Sequence, residues 1–360
     1  VTEPIQFFLP GPSYVTEAAR QAMTRPMMGH RSAAFKKMYV SISERLTKVL
    51  RTSGDAMIAT GSSTLIMESA VISTAAQDVL NLTNGAFSER WHSITKSVGR
   101  SADKVSFPWG EAVDPDTVRA ALRRKRYDAV TVVHNETSTG VMSPLADIAR
   151  AVREESDALI LVDSVSSMGG ARIETDEWGI DVVLAGTQKA LALPPGLAVF
   201  SLSDRAAERA AKIPHRGFYT DLLRYRDKHR EGGNITTPAI PLVYAMDVQL
   251  DRMMAEGMEA RWARHERLQK RAARWAEERG CGLASAPDAR SVTVSCLRAP
   301  EGVDPQALVK ALLERGWTIG GGYGDWKPTT FRIGHMGEVQ DSDLEALLAQ
   351  IDDVLAGLRR

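Results

Sequence analysis

Short apolar runs alternate with amphipathic stretches through the first two thirds of the chain. The runs lie at residues 56–60, 78–83, 129–134, 158–163, 182–185 and 197–202. Several are apolar at every position, the pattern of strands buried on both faces rather than of half-exposed strands. Between them, residues 63–74, 114–123 and 144–155 repeat their apolar positions with helical spacing. Strand–helix alternation of this kind predicts an α/β layer structure around a mostly parallel sheet.

The texture changes after Gly257. Residues 258–279 form a long charge-rich helical pattern, followed by an alternating strand at 291–298 and a helix at 304–315. A strand at 330–335 and a helix at 342–358 complete the chain. The pattern predicts a large unit over residues 16–255. A smaller α+β unit is expected from residues 1–15 and 256–360.

Composition narrows the function classes. Lys plus Arg and Asp plus Glu each number 45 in 360 residues, so the formal charge is zero and a general nucleic-acid binder is disfavoured. The one dense cationic run, Arg123 to Arg126, ends a helical pattern and reads as a solvated helix terminus. With 44% hydrophobic and 25% charged residues, the chain is expected to be an ordinary globular protein. No apolar run approaches the roughly 20 residues of a membrane span. The opening VTEPIQFFLPGPS lacks the features of a signal peptide. Two cysteines, Cys281 and Cys296, give neither a disulfide framework nor a metal spacing, so a reducing cytoplasm is the expected compartment.

Two charged residues stand where ligands bind in α/β sheets, just past the carboxyl ends of strands. Asp163 closes the run LILVD, and Lys189 follows VVLA in the segment GTQK. Taken singly, Asp163 reads equally as a turn cap and Lys189 as a surface lysine. Together, one short crossover apart, they can share one site. A lysine amine that forms an imine with an aldehyde and an acid that keeps a pyridine nitrogen protonated are the two groups pyridoxal phosphate requires. A phosphate cradle fits Thr60-Gly61-Ser62-Ser63-Thr64, where a strand gives way to a helix, although a simple helix cap has the same appearance. Phe87, after another strand, has a face to stack on a ring or to bury in a core.

The segments FLPGPSYV, GHRSAAF, NETSTGV, LVDSVSSMGG, GTQKALALPPGLA, TTPAIPLVYAM and FRIGHMGE run through nearly the whole chain. With them the sequence resembles the class V aminotransferases of the fold-type I pyridoxal-phosphate enzymes, and within these the alanine–glyoxylate and serine–glyoxylate group. The resemblance implies a seven-stranded, mostly parallel large sheet and a homodimer with active sites at the subunit interface. It implies that Lys189 is the Schiff-base lysine and Asp163 the pyridinium partner. Val165 and Phe87 would take the two ring faces, Phe87 standing where relatives often have Trp. Ser62, Ser63, Thr64 and Gln188 would hold the phosphate, and Thr137 would approach the ring. Thr237 would reach the phosphate of the partner subunit; the Tyr that relatives carry three residues earlier is Asn234 here. Arg332 would grip the substrate carboxylate as a planar fork. His30 and Arg31 would lie near the substrate's side-chain end in the neighbouring subunit, or serve the dimer structurally.

The expected activity is transfer of an amino group from alanine or serine to a 2-oxo acid such as glyoxylate or pyruvate. Phosphoserine or aspartate is the alternative donor. A desulfurase would need a mobile nucleophilic cysteine, and a non-catalytic regulator an added DNA-binding domain. Neither feature is evident in the sequence, and no metal, nucleic-acid or membrane partner is expected.

Overall fold

The computed structural model describes residues 4–358, so Val1 to Glu3 and the two terminal arginines of the expected smaller unit lie outside the described residues. Seven strands form the main sheet. Their order across it is Ala56–Thr60, Leu197–Leu202, Val182–Gly186, Leu159–Asp163, Ala129–Val133, Asp78–Thr83 and Ser101–Ser106. All neighbours run parallel except Leu197–Leu202, which is antiparallel to both of its partners. The central strands are buried at every residue, as their continuous apolar runs require. Apolar side chains cover both faces: Ile42, Leu46, Ile148, Val152 and Tyr244 pack with one, and Ile66, Met67 and Trp91 with the other.

Ser101–Ser106 is a strand that the apolar pattern missed. Its sequence SADKVS is mostly polar, and it lies at the sheet edge with its residues only half-buried or exposed. An edge strand needs only one paired side, so its pattern carries little hydrophobic signal.

A second sheet has the order Phe7–Phe8, Thr318–Gly321, Thr330–Gly334, Val294–Arg298, Gly282–Leu283. Helices Met258–Glu278, Pro305–Glu314 and Asp341–Leu358 bury Leu268, Trp275, Leu308, Leu312, Leu347 and Ile351 against it with Phe8, Phe331 and Ile333. Gly320 and Gly321, residues that signal a close backbone approach more than a strand, belong to a strand paired with Arg332 and Phe331. The close approach is nevertheless real: a Cβ on Gly320 would stand 2.7 Å from Pro10.

Two of the four cations in the run at 123–126 are paired locally, while Arg124 and Arg126 are exposed. Arg123 bonds Glu155, and Lys125 bridges Asp78 at 2.8 Å and Asp103 at 3.0 Å.

A buried ionic network ties the long helix to the loop after Lys189. Arg261, fully buried, donates to Glu338 at 2.9 Å, to Glu256 at 2.8 Å and to the carbonyls of Gly169 and Ala190. Burial works to raise the Glu338 pKa. The Arg261 charge and hydrogen bonds from Gln249, Arg252 and Arg261 override it and hold the carboxyl down at about 2. Glu338→Ala is expected to destabilise the protein by about 3 kcal/mol at neutral pH, because Arg261 loses a buried counter-charge. The folded pKa lies below the unfolded value of 4.5, so this contribution is present above pH 4.5 and is lost as pH falls toward 2. Urea denaturation of both proteins at pH 7 and at low pH checks the size and the convergence.

Candidate active site

A cavity of about 150 Å³ opens at the carboxyl ends of the main-sheet strands. Ser62, Ser63, Thr64, Phe87, Thr137, Asp163, Val165, Gln188 and Lys189 line it, together with Met67, Arg90, Val133, Asn135 and Ser166. Every cofactor residue expected from the sequence is present except Thr237. Arg332 adjoins the cavity: its Nη1 donates to the Thr137 carbonyl at 3.0 Å and its Nε to the Gly321 carbonyl at 2.8 Å.

Asp163 ends its strand 5% exposed, and its Oδ1 accepts the Val165 N–H at 2.7 Å. Burial pushes its pKa up to about 7, the Val165 hydrogen bond pulls the other way, and the nearby Glu136 charge adds to the rise. A carboxyl so placed ionises readily only when a cation is brought to it. Lys189 is 8% exposed, and its Nζ donates to the carbonyl of Pro10. Burial, then the Arg332 charge, lowers its pKa to about 8, so the neutral amine needed for attack on a carbonyl is accessible near neutral pH. A tight fit holds this lysine. Ser13 Oγ donates to the Lys189 carbonyl at 2.6 Å and Ser13 N to that of Gln188 at 2.9 Å. Gly11, at φ +112°, lies so close that a Cβ there would overlap the lysine side chain.

The cradle at 62–64 opens helix Ser63–Thr74. Ser62 occupies the N-cap position, yet its hydroxyl makes no capping bond to the helix. An uncapped helix start with free hydroxyls is a fitting place for a phosphate dianion. Asn135 is a second unfilled group: it is buried, and neither amide atom has a hydrogen-bond partner among the described residues. Such orphans are uncommon in native interiors unless a ligand completes them. The donor set therefore fits an anionic, aromatic cofactor: hydroxyls at a helix start, a buried acid, an amine and an aromatic face.

The remaining wall is aromatic and cationic. Phe87 and Tyr323 lie 5.7 Å apart, and the Arg332 guanidinium lies 5.4 Å from the Tyr323 ring. The Arg90 guanidinium stands over Phe87 at 4.9 Å and makes no hydrogen bond or ion pair among the described residues.

His30, Arg31 and Thr237 are not brought to this cavity by their own chain. His30 and Arg31 line a separate hollow of about 270 Å³ with Lys36, Asn234 and Thr236, and Thr237 is exposed. Both cysteines are buried, and burial drives the Cys296 thiol up to about 11, the opposite of what an activated sulfur nucleophile needs.

Residues 14–337 match the family model for class-V aminotransferases. The chain belongs to the class-V aminotransferase family. It is a transaminase of fold type I, and its cofactor is pyridoxal phosphate. Among its relatives is an uncharacterised aminotransferase of Methanocaldococcus jannaschii, 38% identical over 97% of this chain and 92% of that protein. Another is an L-aspartate–glyoxylate aminotransferase of Paracoccus denitrificans, 34% identical over 98% of this chain and 91% of that one. The solved alanine–glyoxylate aminotransferase of Nostoc sp. superposes with a TM-score of 0.92 at 30% identity, covering 99% of this chain and 96% of that one.

Within this family framework Asp163 is open to a direct test. Asp163→Asn keeps an oxygen for the Val165 N–H but removes the charge. Turnover is expected to fall by about 100-fold or more, since a neutral amide does not stabilise a protonated ring. Stability of the cofactor-free protein should move the other way. The folded Asp163 pKa is raised from 3.8 to about 7, so the wild type loses stability as pH rises through that window and the asparagine variant does not. Melting curves of both apoproteins at pH 5 and pH 8 check this: the variant's gain relative to wild type is larger at the higher pH.

Proposed function

We propose that the protein moves the amino group of a small amino acid, alanine or serine, to glyoxylate or pyruvate. The carrying observation is the placement of Arg332 at the edge of the Lys189 cavity, with its remaining N–H groups available to a carboxylate. In this reading Arg332 anchors the α-carboxylate and so directs the Cα–H bond toward Lys189. Lys189 would hold the cofactor through its amine and, as a free base near neutral pH, would carry the proton at Cα. Pyridoxal phosphate, when bound, supplies the electron sink that makes that proton acidic. Asp163 would hold the ring-nitrogen proton, Val165 and Phe87 the ring faces, and Ser62, Ser63, Thr64 and Gln188 the phosphate. Thr137 would approach the ring, although its hydroxyl also contacts Ser166 Oγ at 2.5 Å.

The reading includes a cytoplasmic homodimer. His30, Arg31 and Thr237 lie on or near one hollow away from their own cavity, which supports their delivery to the partner subunit's site. A dicarboxylic donor is the second reading. Arg90, a cation at the cavity without an ion pair, is the observation that favours it, alongside the aspartate–glyoxylate name of the Paracoccus relative.

A donor screen separates the two. Purified enzyme with glyoxylate is offered alanine, serine, aspartate and phosphoserine, and the 2-oxo acid formed from each is measured. Preference for alanine or serine supports the proposal. A response confined to aspartate or phosphoserine overturns it.

A further inference from the structure

Glu136 lies behind the cavity and is 0% exposed. A buried carboxylate is costly unless it is paired or fully hydrogen-bonded. Among the described residues it has no ion-pair partner, so hydrogen bonds must carry it. Its Oε1 accepts from Ser138 N at 3.2 Å and Ser138 Oγ at 2.6 Å. Its Oε2 accepts from Ser88 N at 3.0 Å and Ser88 Oγ at 3.1 Å. The Phe87 N–H is shared between the two oxygens, at 3.2 and 3.1 Å.

The Phe87 and Ser88 donors lie in the first turn of helix Ala86–Ser97, whose N-cap is Gly85 and has no side chain to offer. Glu136 therefore caps that helix from a distant segment. The absence of a Cβ at Gly85 is part of the fit, because one there would overlap the Glu136 side chain. Ser138 Oγ completes the cap by accepting the Ala86 N–H at 3.0 Å. The two segments so joined carry different walls of the site. One bears Phe87; the other bears Thr137, whose carbonyl holds Arg332.

We infer that Glu136 is a positioning residue that locks the Phe87 wall to the Thr137–Arg332 wall and sets a fixed negative charge beside Asp163 and Lys189. The charged groups acting on Asp163 are Glu136, Lys189 and Arg90; those acting on Lys189 are Arg332, Asp163, Glu136 and Arg90. Glu136 raises the proton affinity of both. Its loss therefore makes the lysine nitrogen give up its proton at lower pH. The inference rests on the class-V reading of the cavity.

The test uses the full-length protein with pyridoxal phosphate. Two quantities are read: the dissociation constant for the cofactor, and the pH midpoint of the absorbance change of the lysine-bound cofactor. Glu136→Gln turns an amide N–H toward backbone donors and removes the charge. It is expected to weaken cofactor binding about tenfold or more and to lower the midpoint by about one pH unit. Glu136→Asp keeps the charge on a shorter arm, and Ser138→Ala keeps it while removing one donor. Both should weaken binding and leave the midpoint near the wild-type value. Equal affinity and an unmoved midpoint in Glu136→Gln overturn the inference. Should that variant fail to fold, Glu136→Asp decides: weaker binding upholds the positioning role, and wild-type affinity overturns it. A wild-type protein that binds no pyridoxal phosphate would overturn the class-V reading as well.

Discussion

Lys189→Ala is expected to abolish turnover and the absorbance of covalently held cofactor, while the protein still folds. The two proposed roles of Lys189, the covalent link and the proton transfer at Cα, would disappear together, so the loss should exceed that from any other single substitution. General-base transfer alone accounts for about 10²- to 10⁴-fold. The side chain is buried against Gly11 and Pro10, yet its amine is pushed toward neutrality rather than held in an ion pair. Truncation therefore removes a group that burial penalises in its charged form, and the melting temperature should fall little or rise. Added small primary amines should restore part of the turnover in the variant by replacing the base. Activity close to wild type in Lys189→Ala would remove the basis of the proposed mechanism.

Arg332→Ala should give the second-largest loss, about 10³-fold in kcat/KM, close to 4 kcal/mol of lost binding in the transition state. Hydrogen bonds to the Gly321 and Thr137 carbonyls fix the guanidinium plane, and the Tyr323 ring lies alongside. A pre-oriented fork meets a carboxylate through two parallel bonds, which a flexible ammonium does not reproduce. Arg332→Lys should therefore recover only a minor part of the loss. Because Arg332 also depresses the Lys189 pKa, the alanine variant should bind cofactor normally and hold its lysine protonated to higher pH. Steady-state kinetics with donor and acceptor varied separately should show the defect for both, since each carries the same carboxylate.

The sequence made the centre of this protein legible and its periphery less so. Strands buried on both faces announce themselves by continuous apolar runs, and Asp163 and Lys189 stand out because one closes such a run and the other comes three residues after one. Ser101–Ser106 and Phe7–Phe8 did not: the first is a polar edge strand and the second is two residues long. Glycines at 320 and 321 hid a strand, since a residue chosen for the approach of Pro10 carries no strand signal. Asn135 and Glu136 were passed over for a related reason. They sit in a polar hairpin, and only the tertiary structure shows that one is an orphaned amide and the other a buried carboxylate serving a helix more than forty residues earlier in the chain. Tyr323 and Arg90 likewise join the site through contacts that no local pattern encodes. His30, Arg31 and Thr237 show the remaining boundary: their own chain places them away from its cavity.

Borohydride trapping tests the central claim most directly. The purified protein is incubated with pyridoxal phosphate, reduced, digested and sequenced by mass spectrometry. A reduced cofactor adduct on the Lys189 peptide, lost when an amino-acid donor is added before reduction, is the predicted result. An adduct on another lysine, or none, would contradict the account.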